Sequence, residues 1–216
     1  MRRTGARRTV ENALRRCGFV LVAGTDEVGR GCLAGPVVAG AVVLNPDRHI
    51  AGLNDSKLLS ASRREHLADR IQTDALAWAV AETSPAEIDR VNIQQASLDA
   101  MRRAVLALVP LPDMVLVDAF RVPGLPMAQR GIVHGDRDCA AIAAASIVAK
   151  VYRDRLMVTW HARDPRFGFD RHKGYATPEH LAALARFGCS DAHRRTFRQP
   201  ALFDTMTEGD PAPPSR

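Results

Sequence analysis

Residues 19–44 read FVLVAGTDEVGRGCLAGPVVAGAVVL, and the fold turns on how this stretch divides. Phe19-Val20-Leu21-Val22-Ala23 is an aliphatic run of strand length, and Pro36-Val37-Val38-Ala39-Gly40-Ala41-Val42-Val43-Leu44 is a second. Between them Asp26 and Glu27 stand side by side, followed by Gly29-Arg30-Gly31. Two carboxylates at a buried strand end repel each other and lose hydration, and a divalent cation is the simplest partner that makes the pair favourable. Gly29 and Gly31 leave the backbone open to phosphate or sugar oxygens, while Arg30 supplies charge. An equally ordinary reading is a surface turn with a salt bridge among Asp26, Glu27 and Arg30.

Upstream, Val10, Ala13, Leu14 and Cys17 follow the i, i+3, i+4, i+7 rule and predict a short amphipathic helix whose arginines face water or a polyanion. Downstream, Leu53 to Ser60 is a polar connection, and Ser60 caps a helix running to about Thr73. Leu76, Trp78 and Val80 alternate with Ala77, Ala79 and Ala81, the pattern of a third strand with one crowded face. Ile93, Ala96, Leu98, Met101, Val105 and Leu108 recur at helical spacing within Asn92 to Val109, and Pro110 and Pro112 stop that helix. Met114 to Asp118 reads as a buried strand ending in an acid, and Gly131-Ile132-Val133 as a shorter strand before Asp136.

The alanine-rich segment from Cys139 to about Trp160 predicts a long helix, apolar at first and then carrying Lys150, Arg153, Asp154 and Arg155. A basic loop, Asp170 to Tyr175, leads into a last helix over about Pro178 to Phe187. Glu208 to Arg216, with Pro211, Pro213 and Pro214, reads as a disordered tail. Early strands, then helices alternating with strands, imply an α/β layer on a mixed sheet whose strand ends form the natural site.

With 216 residues, 46% of them hydrophobic, the chain can bury the core of one domain, expected over 1–200 with 201–216 as a tail. A net charge of +6 permits a polyanionic partner such as nucleic acid without requiring one. Cys17, Cys32, Cys139 and Cys189 form no CxxC pair, so neither a zinc ribbon nor a thioredoxin motif is supported, and reduced thiols are expected. No apolar segment of secretory type precedes Cys17, and no stretch reaches the roughly 18 to 20 apolar residues of a membrane span. The expectation is a soluble, cytoplasmic, monomeric protein.

Asp26, Glu27, Asp118 and Asp136 share one pattern, an acid just after a short apolar run. Taken singly, Asp118 could cap a turn and Asp136 could begin one. As a set they suit a hard divalent ion, Mg²⁺ or Mn²⁺, which takes oxygen ligands and keeps several waters. A pair of such ions about 3.5 to 4 Å apart would activate water and stabilise the leaving oxygen of a phosphodiester displacement.

The chain strongly resembles the type 2 ribonuclease H family. The resemblance is carried by GTDEVGRGCLAGPVVAGAVVL (24–44), NDSKLLS (54–60), NIQQASLDAM (92–101), LVDAF (116–120), GDRDCAAIAAASIVAKVYRD (135–154) and HKGYATPEH (172–180), in this order. It implies a ribonuclease H-like fold, a mixed five-stranded sheet flanked by helices with a small helical C-terminal extension over about 160–200. It also implies that Asp26, Glu27, Asp118 and Asp136 are catalytic and bind Mg²⁺ or Mn²⁺, two ions with substrate bound. The implied activity is cleavage of the RNA strand of RNA/DNA hybrids and nicking of duplex DNA 5′ of an embedded ribonucleotide, leaving 3′-hydroxyl and 5′-phosphate ends.

By the same resemblance Gly29, Arg30 and Gly31 meet the 2′-hydroxyl at the RNA to DNA junction, and Tyr175 packs on the deoxyribose that follows. Lys57, Asn92, Ser146, Lys150 and Arg153 match positions near the phosphate backbone, and Ser146, Lys150 and Arg153 share a helix face by their spacing. Two departures stand out: Ala119-Phe120 follows the acid of the fourth strand where glycine is usual, and His134 replaces the usual lysine before Gly135-Asp136. His134 is expected to make activity more pH-dependent near neutrality.

His161, His172, His180 and His193 lack the spacing of a zinc site and are assigned solvent-exposed or substrate-side roles. His193, Arg194, Arg195 and Arg198 read either as a duplex-backbone patch or as a solvated basic end. Arg198-Gln199-Pro200-Ala201-Leu202-Phe203 has the Gln-to-Phe spacing of a sliding-clamp peptide, a pattern easily met by chance.

Overall fold

The computed structural model describes residues 5–197. Helix α1 (Thr9–Arg16) leads into strands β1 (Val22–Val28) and β2 (Val37–Val43), which pair antiparallel with Asp26 opposite Gly40. A 3₁₀ turn at Ser56–Leu58, helix α2 (Ala61–Asp74) and strand β3 (Ala77–Thr83) follow. Next come α3 (Pro85–Val91), α4 (Ile93–Leu106), β4 (Met114–Asp118), β5 (Ala128–Ile132) and the single-turn α5 (Gly135–Asp138). Helix α6 (Ala140–Arg163), a 3₁₀ turn at Pro165–Phe167, α7 (Phe169–His172) and α8 (Pro178–Phe187) complete the described chain.

The five strands form one sheet in the order β3-β2-β1-β4-β5. β1, β2 and β3 are antiparallel neighbours, whereas β4 runs parallel to β1 and β5 parallel to β4. This is the mixed sheet expected from the alternation of elements.

Strand alternation sends successive side chains to opposite faces, and both faces are covered. Val22, Val42 and Leu116 pack with α6 and with Leu67 and Ile71 of α2. Ala23, Val43, Val115 and Val117 pack with Met101, Ala104 and Val105 of α4. Helix α6 lies unusually close to the sheet because the strands present glycine beneath it. A Cβ at Gly24 would stand 2.2 Å from the Ala141 carbonyl carbon, and one at Gly40 2.4 Å from the Ala145 carbonyl oxygen. The alanine run of α6 is the other half of that fit.

Several elements differ from the sequence reading. α3 was not expected, although Ser84, Pro85 and Glu87 carry its start signal: the Ser84 side chain accepts from the Glu87 amide and proline occupies the first turn. β5 spans Ala128–Ile132 rather than beginning at Gly131, because an edge strand need not be apolar. Asp136 consequently sits on α5, not at a strand end. Two of the arginines at α1 are tied down instead of facing a polyanion: Arg8 donates to the carbonyls of Asn45 and Arg48, each at 2.6 Å, and Arg15 to that of Leu44 at 3.1 Å, while Arg16 is exposed as expected. No helix among the described residues is long and apolar enough to cross a membrane.

Candidate active site

Parallel pairing of β1 with β4 sets their C-terminal ends side by side. The last paired positions are Thr25 and Val117, so Asp26 and Asp118 come next on neighbouring strands. Gly24 and Leu116 face α6, and the two-residue period therefore turns Asp26 and Asp118 the same way. Glu27 points to the other face, toward the α4 side, where Arg30 binds it at 3.0 Å and also reaches Gln94 Oε1 at 2.7 Å. Asp136 joins them through α5, whose first residue is pinned to the site: the Gly135 amide donates to Asp118 Oδ1 at 2.8 Å.

Asp26, Glu27, Asp118 and Asp136 line one cleft of about 200 Å³ together with Gly29, Arg30, Lys57, Ser146, Lys150 and Tyr175. Lys57 stands on the 3₁₀ turn that Asp55 caps by accepting from its amide at 3.0 Å. Ser56 and Ser146 share a hydrogen bond at 3.0 Å, which ties that turn to α6. Lys150 pairs with Asp154 at 2.7 Å and lies 5.6 Å from the centre of the Tyr175 ring. Desolvation and the neighbouring buried Cys32 thiol raise the Tyr175 hydroxyl above its ordinary range.

The acids are electrostatically uncomfortable. Desolvation, then the Glu27 charge and less strongly that of Asp118, hold the Asp26 carboxyl well above its ordinary range, against a hydrogen bond from Ser146. Desolvation also raises Glu27, where Arg30 pulls the other way. Asp136 is raised by desolvation and by the charges of Asp55 and Asp118. A bound cation would relieve all three, so the donor set fits a hard divalent ion held by Asp26, Glu27, Asp118 and Asp136. Among the described residues no three His, Cys, Asp or Glu groups form a ready-made metal cage. Ions that retain water and take oxygens from a substrate do not need one.

The salt-bridged turn and the acidic site are thus not exclusive alternatives. Arg30 and Glu27 do pair, inside a cleft that also holds the other acids.

Some expected substrate contacts lie elsewhere. Arg153 is fully buried, and its guanidinium donates to the carbonyls of Ala34, Pro36 and Lys173, each at 2.9 Å. With those donors engaged it braces the loop rather than meeting a phosphate, although it shares a helix with Ser146 and Lys150. Asn92 is the exposed cap between α3 and α4, accepting from the Gln95 amide at 3.1 Å, and does not line the cleft. Gly31 is exposed beside the cleft, and nothing lies within 4 Å of a Cβ placed on it.

The histidine assignments are corrected as well. His172, His180 and His193 are buried with Phe167 and Phe169, His172 and His180 being stacked 4.4 Å apart. His161 is half-buried and faces Asp170 at 3.1 Å. Arg194, expected in a surface patch, is buried and holds the carbonyls of Gly29, Arg30 and Gly35. Only long-range contacts reveal this, so no local sequence signal would have found it. Arg195 is exposed, and Arg198 lies outside the described residues, as does the candidate clamp peptide.

Comparison with known proteins agrees with this fold. The ribonuclease HII family pattern matches residues 23–200. The ribonuclease HII of Idiomarina loihiensis is 54% identical over 177 residues, covering 82% of this chain and 95% of that protein. Ribonuclease HII 1 of Methylibium petroleiphilum is 55% identical over 177 residues, covering 82% of this chain and 89% of that protein. Among solved structures, ribonuclease H2 from Pyrococcus horikoshii superposes with a TM-score of 0.74 at 24% identity, over 88% of this chain and all (100%) of that one. The RNase HII of Archaeoglobus fulgidus, solved in complex with PCNA, gives a TM-score of 0.69 at 28% identity, over 86% of this chain and 100% of that one. With an α/β ribonuclease H-like fold and more than half its length matched, this chain belongs to the ribonuclease HII family, the type 2 ribonucleases H.

Proposed function

We propose that the chain is a metal-dependent endoribonuclease that cleaves the RNA strand of RNA/DNA hybrids and nicks duplex DNA on the 5′ side of an embedded ribonucleotide. The products are 3′-hydroxyl and 5′-phosphate ends, and the cellular setting is ribonucleotide excision repair in the cytoplasm. The observation that carries this reading is the convergence of Asp26, Glu27, Asp118 and Asp136 on one cleft that also holds Lys57, Lys150, Tyr175 and the loop of Gly29 and Arg30.

Each residue has a task that follows from its place. The four carboxylates hold Mg²⁺ or Mn²⁺, two ions with substrate bound, which supply Lewis acidity for activating water and neutralising the leaving oxygen. A protein of the same fold, Bst-RNase HIII, was solved in complex with Mn²⁺. Ser146 lines the cleft beside Asp26 and favours its charged form against burial. Lys57 and Lys150 present ammonium groups to the phosphate backbone. The exposed backbone at Gly31 lets a sugar hydroxyl come close, the one group that separates RNA from DNA. Tyr175, partly exposed, offers a flat apolar face to the next sugar.

A cleavage assay tests the whole reading. Two duplexes are compared, one all-DNA and one with a single ribonucleotide, using wild type and Asp118→Asn with and without EDTA. Wild type should cut only the second, 5′ of the ribonucleotide, and chelation or Asp118→Asn should abolish cutting while binding persists. Equal cutting of both duplexes would instead indicate a DNA-directed nuclease. Binding without cleavage at any metal concentration would indicate a noncatalytic hybrid-binding module.

The PCNA complex of the Archaeoglobus protein makes a sliding clamp a partner worth testing, beside the nucleic acid itself. Pull-down with and without residues 198–216 is the direct check.

A further inference from the structure

His193 and Arg194 do not themselves line the acidic cleft, yet they join the two elements assigned to sugar recognition. Their backbone is woven into the loop after β1: Ala34 and His193 form an antiparallel bridge, the Arg194 amide donates to Leu33 O at 2.8 Å, and the Gly35 amide donates to Ala192 O at 2.8 Å. The Arg194 side chain then gathers three carbonyls of that loop. Nη2 donates to Gly29 O at 2.6 Å and to Gly35 O at 2.9 Å, Nη1 to Arg30 O at 2.8 Å, and Nε to Gly35 O at 3.0 Å.

Peptide planarity gives this a consequence. In a trans peptide the N–H points opposite to the C=O of the preceding residue. Fixing the carbonyls of Gly29 and Arg30 therefore fixes the amides of Arg30 and Gly31, and turns both away from Arg194. Neither amide donates to another group among the described residues. Gly31 carries no side chain to cover them.

His193 reaches the other element. His180 Nδ1 lies 2.9 Å from the carbonyl oxygen of Tyr175, and a carbonyl only accepts, so that nitrogen carries the proton. His180 Nε2 is then the acceptor, and His193 Nε2, 3.1 Å away, is the donor. His193 Nδ1 is left to accept from the Ser190 amide at 3.0 Å and from its hydroxyl at 2.9 Å. One chain of directed hydrogen bonds runs from Ser190 to the backbone of Tyr175.

We propose that Arg194 is a positioning residue for sugar recognition, which with His193 sets the 29–31 loop and Tyr175 in one mutual register from a segment that touches neither sugar. This rests on the assignment of Gly29–Gly31 and Tyr175 to the RNA to DNA junction. A guanidinium is an expensive filler for a buried site where, among the described residues, no carboxylate pairs with it, since an apolar side chain would pack there without desolvating a charge. What an apolar side chain cannot do is orient three carbonyls at once.

The test is made in the Asp118→Asn background, where binding is read without cutting. Dissociation constants are measured in Mg²⁺ for two duplexes that differ by one ribonucleotide. Asp118→Asn alone should prefer the ribonucleotide duplex; a ratio of one there would sink the sugar-reading assignment before Arg194 is touched. Adding Arg194→Gln should lower that ratio about tenfold, with affinity for the all-DNA duplex changed less than twofold. Arg194→Lys, which keeps the charge and reaches fewer carbonyls, should fall between. An unchanged ratio overturns the proposal, and so does an equal loss on both duplexes, which is what a general scaffold would give. Circular dichroism controls for folding: if Arg194→Gln unfolds, Arg194→Lys decides alone, and if both unfold the residue is scaffold and the proposal falls.

Discussion

Asp118 Oδ1 accepts the Gly135 amide at 2.8 Å, so the acid that ends β4 also fixes the turn that carries Asp136. An asparagine keeps a carbonyl oxygen for that bond and removes only the charge. Asp118→Asn should therefore preserve the geometry while relieving the repulsion on Asp26 and Asp136. Without metal the variant is expected to be more stable by about 1 kcal/mol, roughly 2 to 4 °C in midpoint for a chain of this size. Mn²⁺ should raise its midpoint less than that of wild type, because one ligand charge is gone. Thermal unfolding with and without Mn²⁺ measures both; a lower metal-free midpoint would show that the bond to Gly135 needs the full carboxylate.

Ala119 follows directly and adopts φ 61°, the left-handed region that L side chains other than Asn and Asp rarely enter. Glycine has no such penalty. Ala119→Gly should stabilise the protein by about 1 kcal/mol, even after the extra freedom glycine gives the unfolded chain. Urea unfolding decides, and a destabilised variant would mean that the methyl group makes a contact worth more than the strain.

Burial sets the pH dependence of the C-terminal half. Desolvation lowers His180 from 6.5 to about 4, and desolvation followed by the His180 charge lowers His193 from 6.5 to about 4. Between those values the unfolded chain binds protons that the folded chain refuses, so stability rises with pH across this interval. The contribution is complete above about pH 6.5 and is lost as pH falls toward 4. Thermal midpoints measured from pH 4 to 8 should fall steeply below 6.5, and His193→Gln should make the slope shallower. A flat profile over pH 4 to 6.5 would contradict the buried, neutral assignment.

How much of this was legible beforehand depends on how local the cause is. Asp26, Glu27 and Asp118 could be placed because each ends an apolar run, and parallel pairing then does the rest. The same logic misplaced Asp136, since the polar edge strand before it carries no hydrophobic alternation to mark its start. Arg153 shares a helix with Lys150, but spacing along a helix says nothing of what the helix meets. Position 150 opens on the cleft, whereas 153 meets the loop at 34–36. Arg194 was read as a surface group for a related reason: the carbonyls it holds, at Gly29, Arg30 and Gly35, lie far away in the chain. His180 and His193 have partners nearby in sequence, but their burial comes from packing with Phe167 and Phe169, which spacing does not show.

The two glycines around Arg30 differ in kind, and this separates folding from substrate recognition. Gly29 has φ +87°, and a Cβ there would stand 2.3 Å from Arg153 Nε, inside the buried brace of the loop. Gly31 has neither constraint, and a Cβ would meet nothing within 4 Å. Gly29→Ala should cost several kcal/mol, on the scale of overpacking added to backbone strain, about 2 to 5 kcal/mol together. Gly31→Ala should leave the unfolding free energy within about 0.5 kcal/mol of wild type, as a surface change does. If Gly31 is glycine so that a sugar can approach its backbone, the same methyl group should nonetheless lower kcat/KM on the single-ribonucleotide duplex tenfold or more, equivalent to about 1.4 kcal/mol of transition-state binding. Paired unfolding and cleavage measurements on the two variants check this, and undiminished cleavage by Gly31→Ala would remove Gly31 from the substrate-reading surface.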